Sequence, residues 1–410
     1  MSIRNGPALV GAAALVLALA APVGAQGPTV EVVVDGLAAP RGIDIGRGGA
    51  IFIAEAGAAG DECMGEGEGP GGRMCFGLTG GVTRIRPNGD VGRIVDGLPS
   101  VGAGPEILGV SDVALGPDDG IFLVMNSGGD PADREAMPPD LASYAGWLVR
   151  GVPGAGIEPW VDVAAHESTA DPDGEFGGVV DANPWSIAVV DGGVVVADAG
   201  ANALLMVADD GTISTVAVFP PTEHLFPAEM LAAMGGAPEG EMPAEAELPS
   251  ESAMPAEGEM VPLPVESVPT SVVVGPDGAY YVGELTGGPF PVGGASVWRV
   301  TPEGEVSEYA TGFTNIIDIA FGPDGTLYVA EIVHEGAHGR LRGRRRPGGR
   351  GPQRAARWWG RRAHPERRAG DGPRRHRGRC RGRHLRLRGD PHPRRWSRGE
   401  DHPLSIQTGE

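Results

Sequence analysis

The chain has 410 residues, with 69 Gly, 38 Pro and a formal charge of −21, and every basic residue is arginine. That length suits one large domain or two ordinary ones, and so much glycine and proline favours short strands and turns over long helices. Residues 1–339 carry 10 Arg against 48 Asp and Glu, whereas residues 340–410 carry 23 Arg against 6, so the body should repel nucleic acid and anionic membrane.

The N-terminus reads as a secretory signal over residues 1–25. Arg4 supplies the positive region, the run ALVGAAALVLALAAPV (residues 8–23) the apolar one, and Val23-Gly24-Ala25 a small-residue cleavage site. The run is shorter than the roughly 20 residues that span a bilayer, and no later stretch is apolar enough to cross one. A secreted, extracellular or periplasmic location is therefore expected, with no membrane span.

A repeating strand region is expected over residues 30–335. Its first unit is PRGIDIGRGGAIFIAEAG (residues 40–57), an alternating apolar run, a Gly-rich turn and a second run. Period-2 alternation argues for half-buried strands. Cys63 and Cys75 follow in a glycine-rich loop, and in an exported chain they read as a disulfide. A two-Cys metal site is the alternative, though no His lies nearby. Next comes GVTRIRPNGDVGRIVDGL (residues 81–98), two more strands around their own turn.

The same unit recurs as VSDVALGPDDGIFLVMNSG (110–128), PWSIAVVDGGVVVADAG (184–200), PTSVVVGPDGAYYVGELTG (269–287) and NIIDIAFGPDGTLYVAEI (315–332). After the third and fourth come further strand pairs, at 203–219 and 296–313. Four antiparallel strands per unit is the blade of a β-propeller. The turn glycines Gly49, Gly120, Gly192, Gly278 and Gly325 are spaced at 71, 72, 86 and 47 residues; a blade needs about 40–50. The excess lies in insertions: the cysteine loop, residues 127–146, and an acidic Pro- and Ala-rich segment, 235–262, too poor in apolar residues to offset ordering and so expected to be disordered.

The fifth unit stops midway. After about Gly339 the alternation gives way to an arginine run. One reading is a basic arm for anionic polymers. The other, and the expectation here, is a shifted reading frame, since GC-rich codons for Gly, Asp and Val read one base off yield mostly Arg, Gly, Pro and Ala. Residues 340–410 are then expected to be a disordered tail.

At this point the segments CFGLTGGVTRI (75–85), NPWSIAVVDGGVVVADAGANALLMV (183–207), VPTSVVVGPDGAYYVGELTGGPFPVGGASVWRV (268–300) and ATGFTNIIDIAFGPDGTLYVAEI (310–332) resemble the ScyD/ScyE family of secreted bacterial propellers. The likeness runs from about Val30 to Glu335. It implies an all-β fold with six four-stranded blades, about five of them recognisable here. It implies no settled reaction, and the likeness fails after Gly339.

Candidate sites follow from the repeat itself. Six residues after each turn glycine stands a polar group: Glu55, Asn126, Asp198, Glu284 and Glu331. Two readings are open. A ring of oxygens about the axis suits Ca²⁺; alternatively, each residue accepts hydrogen bonds from its own turn. A second set lies on or just before the innermost strands: Arg41, Asp112, Trp185, Thr270 and Asn315. Glu55, Asn183 and Asp198 also match in residue type the calcium site of gluconolactonase-like propellers, an analogy of fold. Trp147, Trp160, Trp185 and Trp298 read as blade packing before a sugar platform.

The expected role is a monomeric binding scaffold for a small molecule or protein, without certain cofactor. A Ca²⁺-dependent lactonase or esterase is the first alternative, and a structural envelope protein the second.

Overall fold

The computed structural model describes residues 31–64, 73–103, 106–117, 120–126, 129–152, 156–177, 179–234, 259–332 and 359–363. Met1–Val33 is a unit of its own, of which residues 31–33 are described, without regular structure. The expected signal peptide lies outside the described residues. The unit Val34–Glu410 holds every sheet.

Four sheets contain a full antiparallel blade. The first runs Pro40–Ile45, Ile51–Glu55, Met74–Ile85, Val91–Ala103, with short strands Glu62–Met64 and Glu106–Leu108 attached. The second runs Val110–Leu115, Ile121–Met125, Trp147–Val152, Gly156–Asp162. The third runs Pro184–Val190, Gly193–Asp198, Ala203–Ala208, Ile213–Val218, and the fourth Pro269–Val274, Tyr280–Glu284, Ala295–Val300, Val306–Phe313. The fifth sheet has three strands, Ile316–Phe321, Leu327–Glu331 and Trp359–Ala363. The fold is a β-propeller, and its five inner strands neighbour one another in chain order.

The core lies between blades, because each blade is apolar on both faces. In Gly193–Asp198 every residue is buried. Val194 and Val196 pack with Val124, Leu148 and Val161 of the second blade. Val195 and Ala197, on the opposite face of the same strand, pack with Val272, Tyr280 and Val282 of the fourth. Successive side chains point to opposite faces, so one apolar run serves two interfaces. Trp160 lies 5.5 Å from Phe122 and Trp298 lies 6.1 Å from Phe219, both as packing groups.

Three local features differ from, or refine, the sequence expectations. Cys63 and Cys75 stand directly opposite each other on paired strands and are joined as a disulfide, so the metal alternative falls. The insertion after the third blade opens with a hairpin, Thr222–Pro227 against Met260–Val265, and a helix, Ala228–Met234. The expected disordered stretch 235–262 therefore overlaps a strand at Met260, and residues 235–258 lie outside the described set. Trp359–Ala363 pairs along Leu327–Glu331, although no strand pattern marks it. A strand edge offers backbone N–H and C=O groups that an extended segment can satisfy whatever its side chains. The rest of the Arg-rich tail lies outside the described residues.

Candidate functional site

Every inner strand carries a register shift near its start. It falls between Pro40 and Ile43, Val110 and Asp112, Pro184 and Ser186, Pro269 and Ser271, and Ile316 and Asp318. A bulge inserts an extra residue, bends the strand and re-aims the side chains beside it. The residues immediately past the shift in the last four blades are Asp112, Ser186, Ser271 and Asp318. Gly42 holds the equivalent place in the first, four residues before the turn's leading glycine. A Cβ on Gly42 would collide with the Asp112 carboxylate.

Asp112 is the hub of this layer. Its Oδ2 accepts the Ser186 hydroxyl at 2.9 Å and the Ile187 N–H at 3.0 Å, and its Oδ1 accepts the Val113 N–H at 2.8 Å. Burial pushes its pKa up to about 7, and the Asp318 charge adds to the rise against the lowering effect of its hydrogen bonds. Burial raises Asp318 to about 6. The charge of a fifth-blade carboxyl thus acts on the second-blade one.

At the end where the inner strands begin, Arg41 of the first blade lies over the indole of Trp185 in the third, 5.9 Å from the ring centroid. Arg41 also donates to the Ile107 carbonyl at 2.7 Å. Thr270 is buried and donates to the Ile316 carbonyl at 2.7 Å, tying the fourth inner strand to the fifth. Asn315 is buried with φ +53 and donates to the Leu285 carbonyl. Of the inner-strand set, Arg41 and Trp185 meet at the strand-entry side, Asp112 lies in the layer past the bulge, and Thr270 and Asn315 serve the framework.

The strand-end residues are all buried. Glu55 Oε2 accepts the Ala38 N–H, Asn126 Oδ1 that of Gly109, Asp198 Oδ1 that of Asn183, and Glu331 Oε1 that of Thr314, each at 2.7 Å. Glu284 accepts the Ser267 hydroxyl at 2.7 Å, the Ser296 N–H at 2.6 Å and the Trp298 indole N–H at 2.8 Å. Each residue thereby fixes the chain entering the inner strand of its own blade. Asn183 and Asp198 stand side by side. Glu55 sits in another blade, where Thr83 donates to Oε1 and Arg93 lies 3.6 Å from Oε2.

Beside Asp198 lies a group that residue-by-residue reading missed. The helix Val163–Ala170 carries Glu167 and ends at Asp171, which takes a left-handed conformation and is followed by Asp173. Ligand atoms of Glu167, Asp171 and Asp173 lie within 4.8 Å of one another. Glu167 and Asp173 are buried and Asp171 is exposed. Burial, then the charge of Asp198 and of its other acidic neighbours, pushes Glu167 up to about 8. Asp198 rises to about 6 through burial. The legible signal was ESTADPDG (residues 167–174), a carboxylate at a helix end followed by Asp-x-Asp-Gly.

No family model and no curated protein matches the chain. Among solved structures the chain is similar to a gluconolactonase from Xanthomonas campestris, at 11% identity over 73% of this chain and 71% of that one, with a TM-score of 0.39. It is also similar to a PQQ-bound aldose sugar dehydrogenase from Streptomyces coelicolor (13% identity, 75% and 78% covered, TM-score 0.39). A third is a catalytically inactive virginiamycin B lyase from Staphylococcus aureus with quinupristin (13%, 72% and 64%, TM-score 0.37). The chain spans less than two thirds of that lyase and of a second streptogramin B lyase, 64% and 61%. These likenesses concern the fold and carry no ligand or reaction to this chain.

Proposed function

We propose that this chain is an exported binding propeller of the ScyD/ScyE type that takes a small cationic ligand at the strand-entry mouth of its central channel. Two observations support this: Asp112 and Asp318, each just past a bulge, lie close enough for the charge of one to act on the other, and the Trp185 indole already accepts a guanidinium. An acidic channel in an acidic body concentrates cations, and an indole face attracts them through its quadrupole. Arg41 occupies the place on Trp185 that an incoming ammonium would take.

Benzyltrimethylammonium is a suitable probe, with its uncharged carbon isostere, neopentylbenzene, as the control. Titration calorimetry should show saturable binding of the first only, lost at least tenfold in Trp185→Ala and weakened in Asp318→Asn. Equal behaviour of the charged and uncharged probes would remove this reading.

A hydrolase is the second reading, supported by the two carboxyls poised near pKa 7 and 6. Carboxyls whose surroundings hold them at different protonation near neutrality can act as acid and base. Acid release from a small lactone, followed at constant pH and abolished by both Asp112→Asn and Asp318→Asn, would support it over simple binding.

A further inference from the structure

The helix Val163–Ala170 ends in a concentration of negative charge that the folded chain leaves unanswered. Glu167 sits in its last turn and Asp171 caps its C-terminus. That end of a helix already carries partial negative charge and prefers cations. Two more carboxylates, Asp173 and Asp198, are buried beside them. None of the four forms a salt bridge among the described residues.

The hydrogen-bond pattern points to a missing occupant. Glu167 is 1% exposed, yet both its carboxylate oxygens lack a partner. Asp173 Oδ1, Asp198 Oδ2 and Asn183 Oδ1 lack partners too. The second oxygen of each aspartate is fixed: Asp173 Oδ2 accepts from the Asn202 amide at 2.8 Å, and Asp198 Oδ1 accepts three backbone N–H groups. The side chains are therefore held by one oxygen while the other stays free. Buried polar atoms are ordinarily satisfied, and buried carboxylates without partners are rarer still.

We propose that Glu167, Asp171 and Asp173, with the charge of Asp198 beside them, bind a divalent cation of the hard, oxygen-preferring class, with calcium favoured over magnesium. All donors are carboxylate oxygens. Calcium accepts six to eight oxygens in irregular geometry, whereas magnesium demands a near-ideal octahedron. The three carboxylates are other residues than Arg41 and Trp185, and cation binding by them does not depend on the ligand proposed there.

The full chain, stripped with EDTA and titrated with CaCl₂ in a calorimeter, should bind one equivalent and gain several degrees in melting temperature. MgCl₂ should bind at least tenfold more weakly. Glu167→Gln and Asp173→Asn should each weaken calcium binding at least tenfold. Glu167→Gln, of the same shape, should melt no lower than the parent in EDTA, so loss of the calcium response cannot be put down to misfolding. Absence of calcium binding by the folded parent, or calcium binding unchanged in a folded Glu167→Gln variant, would overturn the proposal.

Discussion

Ser186 donates its hydroxyl to Asp112 Oδ2 over 2.9 Å, and Ser186 Oγ itself accepts the Val272 N–H at 3.2 Å. One side chain therefore ties the inner strands of the second, third and fourth blades. Similar links run from the Leu115 N–H to Asp44 Oδ2, at 2.9 Å, and from Thr270 to the Ile316 carbonyl. Consecutive inner strands share no backbone ladder, so these polar contacts and the apolar packing hold them in order.

Ser186→Ala removes two of these links and leaves the Val272 N–H and one Asp112 lone pair without protein partners. A cost of about 2–3 kcal/mol is expected from leaving such buried groups unmet. The Ser186 hydroxyl also helps to lower the Asp112 pKa, so the variant should raise it further above about 7. Urea unfolding at pH 8 checks the first expectation, and carboxyl chemical shifts against pH check the second. An unchanged midpoint would show that the blades do not rely on this relay.

The Asp112 and Asp318 pair makes stability fall with rising pH. In an unfolded chain aspartates ionise near pH 4. In the folded chain burial holds Asp318 protonated to about 6 and Asp112 to about 7. Between pH 4 and pH 7 the folded state binds more protons than the unfolded one, so the pair's contribution is largest below pH 4 and is lost as pH climbs through 7. Asp318→Asn should flatten that slope and stabilise the protein at pH 8 by about 1–2 kcal/mol. Melting temperatures from pH 5 to pH 8, parent against variant, test it.

Much of this architecture was legible and much of the chemistry was not, for a physical reason. Short apolar runs paired around a Gly turn, alternating where one face is half-exposed as in Pro40–Ile45 and continuous where both are buried as in Gly193–Asp198, announce the inner hairpins. The strand-end residues were also visible, because a lock needed in each blade recurs at one spacing. The strands Trp147–Val152 and Gly156–Asp162 were not marked, since residues 129–146 separate them from their hairpin. The bulges were hidden because inserting one residue only shifts the pattern's phase. Glu167 and Asp173 were hidden because they lie in a connection, outside any repeat.

Val268 offers a direct test of strain at strand entry. It has φ +54 just before Pro269, while Ala39 and Asn315 hold the equivalent left-handed place at φ +47 and +53. A β-branched residue pays about 1 kcal/mol or more in that region, whereas Asn tolerates it. The Asn202 side chain accepts the Val268 N–H at 2.9 Å and so holds the strained residue in position. Val268→Asn should stabilise the fold by about 0.5–1 kcal/mol, read from the urea midpoint. A loss would mean that the half-buried isopropyl group packs well enough to outweigh its backbone strain.

Arg134 governs the helix on which Glu167 stands. It holds Asp162 through two nitrogens, at 2.6 and 2.7 Å, and donates to the Ala145 carbonyl at 2.6 Å. Asp162 in turn caps the helix by accepting the Ala165 N–H at 3.0 Å. A bidentate guanidinium fixes the plane of a carboxylate in a way an ammonium cannot. Arg134→Ala frees Asp162 to rotate and should cost about 2 kcal/mol, with Arg134→Lys recovering only part. The effect should be local: amide exchange should speed up through Ala164–Ala170, while Tyr280–Glu284 in the fourth blade keeps its protection. Equal loss in both segments would show that Arg134 supports the whole propeller, and that the helix bearing Glu167 and ending at Asp171 is not an independently positioned element.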